Sequence, residues 1–205
     1  MSKPAYHRAS PDDRRQSLIE ATIRVLARDG AIGASVRTIA IEAGVSPGLV
    51  NHHFAGIDAL IAATYRMVGQ RVSRALDEAV TQAGRDPRAR LIAYVTASFD
   101  PPIAEHSLLA TWVAFWSLTT NPDIAQIHSE LYAAYRGTVE GLLAECGMAQ
   151  RNVRLAAIAI TGLVDGLWLE LCLSPDVFTP EEARTMVRAH INGLLQTREF
   201  AGTSG

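Results

Sequence analysis

The stretch from Ser35 to Phe54, SVRTIAIEAGVSPGLVNHHF, restricts the fold of this chain more than any other. It reads as two short helices about a tight turn. Ile39 and Ala40 give the first helix an inward apolar edge, and Ala43 ends it. Gly44 follows, where the turn needs a left-handed backbone position that glycine takes at least cost. Val45 fills the corner. Ser46 stands where it can cap the second helix, and Pro47 opens it, because a first-turn residue has no helical partner for its N–H. The second helix, about Pro47 to His53, carries few charges and several small or hydrogen-bonding side chains. Asn51, His52 and His53 are donors and acceptors of the kind that read base edges in a major groove.

The preceding residues obey the same rules. Ser10 caps a first helix, with Pro11 at its first position and Asp12 and Asp13 facing its positive end. Leu18, Ile19, Thr22, Ile23, Val25 and Leu26 keep helical spacing, and Gly30 stops the helix. Arg14 and Arg15 either lie along a DNA backbone or form a solvated charged pair. The polar arm before Ser10, with Lys3, His7 and Arg8, either touches phosphates or has no role. Taken together, Ala27, Gly30, Ser35, Val36, Ile39, Ala40, Gly44, Val45, Ser46, Gly48 and Phe54 resemble the DNA-binding domain of TetR-family transcriptional repressors. Candidate DNA contacts are Ser35, Arg37, Thr38, Ser46, Pro47, Gly48, Leu49, Asn51, His52 and His53. Two positions depart from the family pattern. Ile57 stands where a phosphate-binding lysine is usual, and Asn51 where tyrosine is frequent.

Helical punctuation continues to the end of the chain. A helix from about Ile57 to Ala83 ends at Gly84, and Asp86-Pro87 starts another that the Asp100-Pro101-Pro102 break closes. A helix bearing Trp112, Phe115 and Trp116 follows. Asn121-Pro122-Asp123 opens the next, which runs to Gly147. The segment RNVRLAAIAITGLVDGLWLELCLS is apolar almost all round and long enough to test as a membrane span. Arg154, Asp165 and Glu170 argue against that, so the expectation is a helix buried between the body and a partner. Thr179 to Glu182 form a capping box for the last helix, and the tail REFAGTSG is expected to be unstructured. No strand pattern occurs. The reading is an all-α chain of about nine helices: a helix-turn-helix head over residues 10–56 and a helical effector-binding and dimerisation body over 57–205.

An acid among tryptophans marks the body. Trp112, Phe115 and Trp116 share one helical face, as do Thr161, Asp165 and Trp168. Burying an unpaired carboxylate is costly unless a cation or donors meet it. Aromatic faces around a desolvated cation contribute about 2 kcal/mol or more. Asp165 with Trp168, Trp112 and Trp116 therefore forms either a cage for a small organic cation or a plain core in which Asp165 bonds Arg154 or a backbone group. Phe99, Trp112, Phe115, Trp116, Tyr135, Asp165 and Trp168 are the candidate effector residues. The blocks around Phe99-Asp100, Trp112–Trp116 and Leu163–Leu169 resemble the choline-responsive branch of TetR repressors, which controls glycine betaine synthesis.

Bulk properties set the frame. With 205 residues, 48 % apolar and 20 % charged, the chain can bury one large core or two small ones. Cys146 and Cys172 are the only cysteines. They form no CxxC, so no disulfide framework is expected and a reducing cytoplasm is the default. The first residues lack an apolar signal-peptide core. Residues 1–60 hold seven Lys/Arg against six Asp/Glu, and the remainder twelve against fifteen. The direction suits a nucleic-acid-facing head on an acidic body.

The resemblance implies a repressor that binds an inverted-repeat DNA operator as a homodimer through its last two helices. A small-molecule effector, choline or a related organic cation, releases it. A polyamine or an uncharged aromatic effector is the alternative, as is a helical dimer that acts through protein contacts alone. No HExxH, P-loop, dinucleotide turn or nucleophile–base pair is present, so no enzyme is expected. Nor is a cofactor or metal, since His52 and His53 are adjacent and diverge on a helix.

Overall fold

The computed structural model describes residues 10–196, all in helices, turns and loops with no strand among them. The N-terminal arm and the tail discussed above lie outside the described residues. Nine α-helices follow in order: α1 (Pro11–Gly33), α2 (Val36–Glu42), α3 (Pro47–His53), α4 (Ile57–Gln82), α5 (Pro87–Thr96), α6 (His106–Ser117), α7 (Pro122–Glu145), α8 (Gln150–Leu173) and α9 (Pro180–Gln196). A 3₁₀ turn, Ala97–Phe99, extends α5.

Most helix starts read from sequence are capped as expected. Ser10 and Asp13 exchange both bonds of a capping box, and so do Thr179 and Glu182. Asp86 accepts from the Ala89 amide at 2.8 Å, and Asn121 from Asp123 at 3.0 Å. Ser46 differs, since its side chain caps nothing and stays exposed. At Gly30 the expected stop is a kink. The residue adopts φ 64°, ψ −170°, and helical turns resume as far as Gly33. Gly44, at φ 66°, makes the turn of the helix-turn-helix.

Two cores form. In the head, Leu18, Ile19, Ala21 and Val25 of α1 meet Ile39 and Ala40 of α2, Val50 of α3, Phe54, and Leu60 from α4. The second core fills the body from Leu26 to Ile191. Leu26 belongs to it although it lies on α1, and Ile23 packs against both cores. The head therefore rests on the body through α1, whose neighbour there is α6. The Thr111 hydroxyl of α6 lies 3.3 Å from the Ile23 carbonyl oxygen.

α8 is the one described helix long and apolar enough to cross a membrane. Its inner face, Val153, Ala156, Ala157, Ile160, Val164 and Trp168, is buried in the body core. Its outer face exposes Leu155 (60 %) and Leu173 (66 %), while α9 exposes Met186.

Candidate DNA-binding face and effector cavity

The head presents α3 outward because α1 holds it from behind. Arg15 donates to the His53 carbonyl at 3.0 Å, and its guanidinium lies 4.2 Å from the centre of the Phe54 ring. Arg15 thus clamps the end of α3, a role distinct from both the phosphate contact and the solvated charged pair. Arg24 and Arg28 of α1 pair with Glu42 of α2 at 2.7 and 2.9 Å, exposed ion pairs of small individual worth.

With Val50 fully buried, α3 exposes Pro47, Gly48, Asn51 and His52, while Leu49 and His53 are half-buried. The His52 and His53 rings meet edge to face at 5.2 Å. Arg37 is exposed on α2. Ser35 and Thr38 are half-buried and bonded to each other's backbone at 2.9 and 3.1 Å, and Thr38 also donates to Gly33. Their side chains hold the start of α2, and only Arg37, Ser46 and the α3 residues stand free for a ligand. Ile57 is half-buried against both cores.

In the body, facing stripes on two helices line an open groove of about 870 Å³. His128, Tyr132, Arg136 and Glu140 recur every four residues on α7. Arg154, Ile158, Gly162 and Gly166 do so on α8, with Thr161 and Asp165 beside them. Behind the groove is a more enclosed cavity of about 50 Å³, lined by Trp112, Tyr132, Tyr135, Asp165 and Trp168, with Gly69, Ser98 and Leu131. One water needs about 10–15 Å³ of such space, so the cavity takes a group of about four non-hydrogen atoms. Tyr132, Thr161 and Asp165 line both spaces and form the wall between them.

The Tyr132 hydroxyl is the hub of that wall. It donates to Asp165 Oδ1 at 3.0 Å and accepts from Trp116 Nε1 at 3.0 Å and Trp112 Nε1 at 3.3 Å. Its single hydrogen and both lone pairs are thus used. No hydrogen bond from a described residue reaches Asp165 Oδ2. Burial pushes the Asp165 carboxyl up to about 6, against the pull of the Tyr132 hydrogen bond and the Arg136 charge. Trp112 and Trp168 meet edge to face at 5.4 Å, and Trp168 is anchored by a 3.0 Å bond to the Ser98 carbonyl. The Tyr135 hydroxyl is buried without a hydrogen bond of normal geometry, beside Ser98, and desolvation raises its pKa.

The seven expected effector residues divide. Trp112, Tyr135, Asp165 and Trp168 converge on the inner cavity, and Trp116 lines the outer groove. Phe99 and Phe115 line neither. Both are fully buried, and Phe115 stacks on Tyr65 of α4 at 4.2 Å, so they act as packing. Nor does Asp165 bond Arg154 or a backbone group; its partner is a tyrosine on the facing helix. Sequence reading missed Tyr132, His128, Arg136 and Tyr65. The four-residue stripe His128-Tyr132-Arg136-Glu140, polar groups on one side of a helix core, was the available signal. Tyr65 joins this network from α4, its hydroxyl 3.1 Å from His128 Nδ1.

Comparison with known proteins agrees with this architecture. Residues 18–64 match the family model "Bacterial regulatory proteins, tetR family", and residues 87–196 match "BetI-type transcriptional repressor, C-terminal". The HTH-type transcriptional regulator BetI of Paraburkholderia phytofirmans is 33 % identical over 91 % of this chain and 95 % of its own length. That of Pectobacterium carotovorum is 34 % identical over 89 % and 94 %. A crystal structure of a transcriptional regulator from Pseudomonas aeruginosa PAO1 superposes with TM-score 0.85 and 41 % identity, covering 96 % of this chain and 98 % of that one. A regulator from Saccharomonospora viridis in complex with choline shares the fold at TM-score 0.75 and 21 % identity, over 88 % and 96 % of the two chains. A cap-defined helix-turn-helix, a helical body with an aromatic-walled acid, and full-length regulator relatives converge: the chain belongs to the tetR family of bacterial regulatory proteins, with a BetI-type repressor C-terminal domain, and is a transcriptional repressor rather than an enzyme.

Proposed function

We propose that the protein works in the cytoplasm as a homodimer on an inverted-repeat operator and is released by a small organic cation, choline or a relative with a fully alkylated ammonium group. The head covers residues 10–56 and the body the rest. Two copies of α3 enter successive major grooves about 34–36 Å apart, with Asn51 and His52 at base edges and Arg37 and Ser46 at the backbone. The exposed Leu155, Ile158 and Leu173 of α8 and Met186 of α9 support dimerisation through those helices. An effector in the body then favours a head spacing that does not fit the operator, by as much as it prefers that state.

The observation that carries the cation is Asp165, an acid partly desolvated among Trp112, Trp168, Tyr132 and Tyr135, with one oxygen that takes no hydrogen bond from the described residues. A quaternary ammonium meets the Asp165 carboxylate without needing a hydrogen-bond acceptor, and the ring faces attract it. The test is operator binding, followed by fluorescence anisotropy on an inverted-repeat duplex from upstream of the gene. Choline and its uncharged carbon isostere, 3,3-dimethylbutan-1-ol, are added in parallel. Choline should release the duplex and the isostere should not; equal release by both would remove the cation from the reading.

A further inference from the structure

The groove in front of Asp165 is the wrong shape of charge for a plain cation. It carries Arg136 and Arg154 beside Asp165 and Glu140. Neither arginine makes an ion pair among the described residues, although seven other such pairs occur there. Arg136 lies with its guanidinium 6.0 Å from the centre of the Tyr132 ring, and its charge acts on Asp165. Two guanidinium groups at the mouth of a cation cage repel an incoming cation, and with Asp165 and Glu140 the lining is already neutral. A bound monocation leaves an excess positive charge; a ligand with no net charge does not.

The sizes of the two spaces agree. The inner cavity, about 50 Å³, takes a compact head group and little else. The groove, about 870 Å³, begins at the same Tyr132–Asp165 wall and is far larger than the hydroxyethyl arm of choline needs.

We infer that the site takes a zwitterion: an alkylated ammonium in the inner cavity against Asp165, joined by a short linker to an anionic group, carboxylate or phosphate, that lies in the groove on Arg136 with Arg154 behind it. The inference rests on the cation reading above and goes beyond it. Guanidinium suits either anion, because its fork of N–H donors meets two oxygens at once. The aromatic cage selects the alkylated nitrogen and the arginines select the anion, so each half of the ligand is read by a different wall.

Dissociation constants from tryptophan fluorescence, checked by calorimetry, for choline, glycine betaine, carnitine and phosphocholine test it on the full chain and on Arg136→Gln, Arg136→Lys and Arg154→Gln. At least one zwitterion should bind the parent tenfold or more tightly than choline does. R136Q should weaken that zwitterion at least tenfold while choline, relieved of a neighbouring cation, binds more tightly. R136K should restore part of the loss, and R154Q should show a smaller loss if R136Q does not fold. Preference for glycine betaine or carnitine identifies a carboxylate, and preference for phosphocholine a phosphate. Choline binding more tightly than every zwitterion, with both arginine variants indifferent to the anion, overturns the inference and leaves the cation reading standing. Binding of none of the four overturns both.

Discussion

The head and the body solve opposite problems. In the head, polar side chains serve the backbone: Ser35 and Thr38 cap α2, and Arg15 closes the end of α3. What remains free points outward, at Asn51, His52 and Arg37. In the body the backbone is satisfied by the helices themselves. There the side chains turn inward on one another, Tyr132 tying Trp112, Trp116 and Asp165 into a single wall. A surface built this way tolerates change one residue at a time, while a buried network does not.

The strongest way to break that contrast is Asp165→Asn. Leaving a cation in the cage without its counter-charge costs about 2–5 kcal/mol, a loss of about thirtyfold or more in cation affinity by calorimetry. Operator binding should persist, and thermal stability should hold or rise because a desolvated charge is gone. Asn51→Ala gives the mirror result: operator affinity falls by about 1–3 kcal/mol by anisotropy, and effector affinity stays. If either variant disabled both activities, the division of labour would fail.

Protonation sharpens the comparison next. The Asp165 carboxyl titrates near 6 in the folded chain against 3.8 for the free group. Cation affinity should therefore be full above that pH and fall about tenfold per unit below it, while Asp165→Asn shows no such dependence. Stability runs the other way. The folded carboxyl holds its proton more tightly than the unfolded one, so this group adds stability as pH drops from about 6 toward 4, readable in parallel melts of the parent and the variant.

Smaller still is Ser35→Ala, which removes one half of a capping box and should cost the head about 1 kcal/mol by denaturant titration. Tyr65→Phe should have the least effect on affinity. It deletes the hydroxyl that α4 offers His128, leaving effector binding within about a few-fold while blunting effector-induced operator release.

This contrast also decides what could be read from the sequence. The head was legible nearly residue by residue, because caps, a turn glycine and a three-to-four-residue apolar spacing are local rules. Ser46 escaped, since a capping residue type at a capping position need not form the bond. The body gave up its helices and the pairing of Asp165 with tryptophans, but not the partner of that acid. Tyr132 lies 33 residues away on another helix, and only packing of α7 on α8 brings the two hydroxyl and carboxylate atoms together. Phe115 falls outside both spaces for the same reason. It lies one turn from Trp112, yet Tyr65 of α4 takes its face.

One consequence concerns α6. Thr111 of this helix meets α1 of the head, and the adjacent Trp112 reaches the cavity wall. Anyone grafting this sensor onto a foreign reader would cut through that seam. A working chimera has to carry the α1 surface around Ile23 and Leu26 along with the body, or the two parts will assemble without talking to each other.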